Sequence, residues 1–97
     1  MNPGHNVQRA ATLVGGATGA QTEVTFQLGP KAGAIVQLQL GTTGTIRVQG
    51  RLDPDAPWAD LTTDITASGI TAIAAACPQM RINVTANGGT LNAWLSA

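Results

Sequence analysis

Apolar and polar residues alternate through most of this chain. In Thr22-Glu23-Val24-Thr25-Phe26-Gln27-Leu28, the apolar Val24, Phe26 and Leu28 interleave with Glu23, Thr25 and Gln27. A period of two sends successive side chains to opposite faces, which predicts a half-buried strand. Gly29 and Pro30 open a turn through Gly33, after which Val36, Leu38 and Leu40 alternate with Gln37 and Gln39. Gly41-Thr42-Thr43-Gly44 is a short connection to a second alternating run. There Ile46, Val48 and Leu52 share one face, and Arg47, Gln49 and Arg51 share the other. Two long strands joined so tightly predict a hairpin. Gly50 falls on the apolar face of the second, where a bulge or a close neighbour would fit.

Gly69 to Ala75 reads as a weaker strand; its Thr and Ile content and the later Pro78 oppose a helix. Gln79 to Ala86 and Thr90 to Ser96 flank Asn87-Gly88-Gly89, a sequence that favours a type I′ hairpin turn. Residues 1–20 hold only one short strand, Arg9 to Val14. Gly4, Gly15, Gly16 and Gly19 make the rest read as a flexible arm. The expectation is an all-β chain of six or seven strands: an arm over 1–20 and an antiparallel β-sandwich, jelly-roll or immunoglobulin-like, over 21–97.

Composition narrows the chemistry. The chain has 97 residues, of which 43% are hydrophobic and only 10% charged, with five basic and five acidic residues cancelling. A surface built from Thr, Gln, Asn, Ser and Gly gives no long-range attraction to nucleic acid or anionic membrane, and little repulsion between copies. The single Cys77 rules out an internal disulfide and reads as a buried, inert thiol in a reducing compartment. No apolar run approaches a membrane span, and the first residues lack the pattern of a secretory signal.

Four of the five carboxylates, Asp53, Asp55, Asp60 and Asp64, crowd around Trp58. An Asp-x-Asp loop suggests calcium, but an EF-hand loop needs a third oxygen residue, a central Gly and a distal Glu, all missing here. Nothing in the spacing sets two carboxylates at the separation glycoside hydrolysis requires. His5 is the lone histidine, so neither a histidine-dependent triad nor a two-histidine metal site assembles in one copy. Gly15, Gly16 and Gly19 lack the Lys-Ser/Thr of a phosphate loop. Trp58 is either a sugar-stacking platform or, with Leu61, a cap over one end of the core, with Asp53 and Asp55 shaping the preceding turn. If Leu91, Ala93 and Leu95 face the core, Trp94 is exposed and is a candidate contact between chains. No enzyme activity, cofactor or metal is expected.

The second half carries a recognisable pattern. Val48-Gln49-Gly50, Asp53, Trp58, Asp60 and Leu61, then Arg81, Asn83-Val84-Thr85, Gly88-Gly89 and Leu95, resemble small structural proteins of tailed-bacteriophage virion modules. The Asp-Gly turn usual before the tryptophan is replaced here by Asp53-Pro54-Asp55-Ala56-Pro57. The resemblance implies a capsid decoration, or cement, protein on the virion surface, made in the host bacterial cytoplasm. It would be a homo-oligomer, by analogy a trimer, bridging major capsid subunits. A phage tail or head-to-tail accessory protein is the alternative within virions, and a carbohydrate-binding module the alternative outside them. On this reading the arm, through Val7, Arg9, Leu13 and Val14, reaches a neighbour and adds a strand there. Asp53 and Asp55 meet an arginine-bearing partner.

Overall fold

The computed structural model describes residues 7–26 and 33–97. Among these residues nine strands follow in order: β1 (Val7–Leu13), β2 (Gly19–Ala20), β3 (Val24–Thr25), β4 (Ala34–Leu40), β5 (Gly44–Arg51), β6 (Ala59–Asp60), β7 (Gly69–Ile73), β8 (Gln79–Asn87) and β9 (Leu91–Ser96). They form two antiparallel sheets, β1-β9-β4-β7 (sheet A) and β2-β8-β5-β6 (sheet B), with β3 continuing the β2 position along β8. The expected sandwich is present. Of the two expected types it is the jelly roll, because β1–β2, β4–β5, β6–β7 and β8–β9 each step from one sheet to the other.

That stepping overturns both expected hairpins. β4 pairs with β7 and β9, while β5 pairs with β6 and β8, so Gly41–Thr43 arches between sheets instead of turning within one. The Asn87-Gly88-Gly89 connection is a second arch, and neither Asn87 nor its glycines adopt the positive φ a type I′ turn requires. The two arches lie against each other. The Gly88 N–H donates to the Thr43 carbonyl at 2.8 Å, and the Gly41 N–H to the Thr90 carbonyl at 3.0 Å. A Cβ on Gly88 would sit 2.5 Å from Thr43 Oγ1 and 2.6 Å from Thr42 Oγ1, so the glycine permits close approach. A third connection joins the row where the Gly16 N–H donates to the Gly89 carbonyl at 3.0 Å, with Gly15 and Gly16 at positive φ.

The division at residue 20 is redrawn as well. Residues 7–13 of the expected arm are strand β1, paired along β9, and Ala10 and Ala11 are buried in the core. β2 belongs to sheet B. Leu52, expected to face inward, lies beyond the end of β5 and is 74% exposed. Of the run from Thr22 to Leu28, Val24 and Phe26 are buried as expected, while Leu28 and the turn from Gly29 fall outside the described residues.

Among the described residues, those buried between the sheets are all apolar. Sheet A supplies Ala34, Val36, Leu38, Ile73, Leu91, Ala93 and Leu95; sheet B supplies Val24, Ile46, Val48, Met80, Ile82 and Val84. Leu13, Leu40, Leu61, Ile65 and the partly buried Cys77 close the rim. Strand β5 presents Gly44, Ile46, Val48 and Gly50 to the interior, and its glycines, one at each end region, make room for these rim side chains. A Cβ on Gly44 would lie 2.7 Å from Leu40 Cδ2, and one on Gly50 would lie 2.8 Å from both Leu61 Cδ1 and Cys77 Sγ. Of the two readings of Gly50, the close neighbour holds; the β5–β8 register shifts between Thr45 and Ile46 instead.

Candidate functional site

With the inner faces filled by core, the side chains open to partners lie on the two outer faces and the loops. Their chemistry is sharply divided. The outer face of sheet B carries Arg47, Gln49 and Arg51 of β5 beside Gln79 and Arg81 of β8. Cross-strand pairing sets Gln49 opposite both Asp60 and Arg81, and Arg51 opposite Gln79. From this register grow two chains of polar contacts. Arg47 holds Asp64 (Nε to Oδ1, 2.6 Å) and Asp60 (Nη1 to Oδ2, 2.8 Å). The Gln49 amide donates to Asp60 Oδ1 at 2.9 Å and accepts from Arg81 Nε at 2.8 Å. Arg51 donates to Gln79 Oε1 at 2.7 Å and reaches Glu23 at 3.3 Å.

Trp58 completes this face. The guanidinium carbons of Arg51 and Arg81 lie 4.4 and 4.3 Å from the centroid of its ring. The two arginines are diagonal neighbours across β5 and β8, and their like charges share one aromatic quadrupole. Trp58 therefore does not cap the core as expected, whereas Leu61 does pack against it. Trp58→Ala is expected to lower stability by about 1–2 kcal/mol through loss of two cation–π contacts, read as a reduced urea midpoint at unchanged slope.

The acidic cluster separates into two parts. Asp53 and Asp55 sit exposed in the β5–β6 connection. Asp53 Oδ1 accepts the Asp55 N–H at 2.8 Å, and its carbonyl accepts the Ala56 N–H at 2.9 Å. They shape the turn, as expected. Asp60 and Asp64 belong to the arginine network instead. Hydrogen bonds from Gln49 and then Arg47 hold the Asp60 carboxyl below its ordinary value, while Asp64 and then Asp60 raise Arg47. The Asp60 contribution to stability is present above the ordinary carboxylate range and fades as pH falls through its lowered pKa; exposure keeps it small. No group of three or more His, Cys, Asp or Glu residues among those described is arranged to hold a metal ion.

The outer face of sheet A has the opposite character. Its rows run Val7, Ser96, Ile35, Ala72, then Arg9, Trp94, Gln37, Ile70, then the polar Thr12, Asn92, Gln39. Arg9 is the one charged side chain in these rows; it lies 5.3 Å from the Trp94 ring centroid. Val7, Ile35, Gln37, Ile70 and Trp94 line a shallow, mostly apolar groove of about 110 Å³. Val7 and Ile70 are 64% and 70% exposed.

Of the residues expected to contact partners, the structure gathers Val7, Arg9 and Trp94 on this face. Trp94 is half-buried beneath Arg9, less open than expected. Leu13 instead packs against the core, Val14 is exposed beyond the end of β1, and Asp53 and Asp55 lie in a loop attached to sheet B. Ile35 and Ile70 were not anticipated. Ile35 is detectable as an apolar residue in the polar phase of its strand, the phase of Gln37 and Gln39. No family model, curated protein or solved structure matches this chain.

Proposed function

We propose that this chain is a non-enzymatic structural protein of a tailed-bacteriophage virion, a capsid decoration protein that binds and bridges major capsid subunits. The observation that carries the reading is the outer face of sheet A: broad, nearly free of charge, and bearing exposed Val7, Ile35 and Ile70 around Trp94. Such a face suits contact with another protein surface better than enclosure of a small substrate. The jelly roll recurs in viral capsid domains and in lectins, and the sequence pattern around Trp58 and Arg81 adds to the first of these. A modest contact of this kind gains strength when several are joined in one oligomer, which then holds neighbouring capsomers together. Trp58 already stacks on two guanidinium groups, so the sugar-platform alternative has less support.

Quantifying the chain against the major capsid subunit in purified virions tests the proposal. Near-stoichiometric amounts are expected; a handful of copies per particle would overturn decoration in favour of a tail or head-to-tail accessory role. Trp94→Ala is expected to weaken capsid binding by about tenfold or more while the isolated domain stays folded.

A further inference from the structure

We infer that β7 is a self-association edge: two copies pair their β7 strands antiparallel about a two-fold axis, so that sheet A of one copy continues into sheet A of the other. The inference comes from comparing the exposed edges of the two sheets. In sheet B the edge strands β2, β3 and β6 are two residues each, too short to template a partner. In sheet A, β1 is interrupted by a register shift between Arg9 and Ala11 and carries the Arg9 charge. Its side is also tied to sheet B, because the Gln8 amide donates to the Thr25 carbonyl at 2.8 Å.

β7 has none of these devices. It pairs regularly with β4 along all five residues, and no strand among the described residues covers its other side. No charged residue occurs between Asp64 and Arg81, so β7 and the residues that flank it along the chain carry no lysine or glutamate, and β7 itself carries no proline, of the kind that normally guards an edge. A free antiparallel edge is complementary to its own copy, and two-fold pairing is the commonest way for identical chains to associate.

Centring the axis on Thr71 keeps all five residues paired. Thr71 then faces Thr71 of the second copy, and Ile70, 70% exposed here, faces Ala72 of that copy on the outer side. The pairing extends the sparsely charged outer face across the axis, and the zero net charge of the chain adds no repulsion. A single strand pair is a small interface, so the dimer is concentration-dependent.

Sedimentation of the purified chain over a concentration series tests this independently of any capsid. A monomer–dimer equilibrium is expected. Ile70→Lys with Ala72→Lys places like charges opposite each other and should raise the dissociation constant about tenfold or more. Ile70→Lys with Ala72→Glu places opposite charges across the axis and should leave the dimer intact. As a control for folding, an equimolar mixture of the double-lysine variant with Ile70→Glu, Ala72→Glu should recover the dimer. A chain that stays monomeric throughout, a trimer or other oligomer untouched by the double lysine, or loss of association in the Lys/Glu variant would each overturn the inference. None of these results would bear on the copy number in virions, so the virion reading stands or falls separately.

Discussion

Leu95→Ala is expected to destabilise the domain by about 2–5 kcal/mol, the range for removing most of a buried leucine where the surroundings relax only in part. Leu95 is fully buried, lies on β9 in the middle of sheet A, and is opposite Val36 on one side and Gln8 on the other. Its neighbours are held in ladders on both flanks, so they have little freedom to close over the space. For a domain of this size about 1 kcal/mol moves the melting temperature by about 4–8 °C, so the loss is easily read by calorimetry. A change of only a few degrees would show that the interior between the sheets is looser than the contacts imply. Leu52→Ala, at a side chain 74% exposed beyond β5, is the matched control and should change little.

Gly50→Ala should cost about 1–3 kcal/mol, although it adds a single methyl group. The glycine faces inward on β5. Its added Cβ would meet Cys77 Sγ and Leu61 Cδ1 at 2.8 Å and Cys77 Cβ at 2.9 Å, so neighbours on two segments would have to move. Cys77→Gly removes two of those three atoms. The double variant is therefore expected to be less destabilised than the sum of the singles, with a coupling of about 0.5–3 kcal/mol in a double-mutant cycle. Simple additivity would mean that the strand shifts to accommodate the methyl group, and that Gly50 is present for some other reason.

Much of the fold was legible because alternation is a local property. Val36, Leu38, Ile46, Val48, Leu91, Ala93 and Leu95 are buried in the phase their spacing dictates, and β7 formed despite its alanine-rich surroundings. The candidate contacts were only partly legible. Val7, Arg9 and Trp94 share a face because β1 pairs with β9, a long-range pairing that no local spacing encodes. For the same reason Trp58 could be placed near the acidic cluster but not between Arg51 and Arg81, which are far apart in the chain and adjacent only through the β5–β8 register.

By itself, then, the sequence determined strand phase, the apolar interior, the all-β sandwich and the turn shaped by Asp53. The tertiary structure alone decided which strands pair, and with that the jelly-roll order, the two unlike outer faces and the place of β7 at the end of the strand order in sheet A. The reason is physical. A glycine-rich link between two alternating strands fits a hairpin and an arch equally well, since each strand buries the same side in either. The arches at Thr42-Thr43 and Gly88-Gly89 are fixed by backbone bonds to each other, between segments that meet only when the two sheets close.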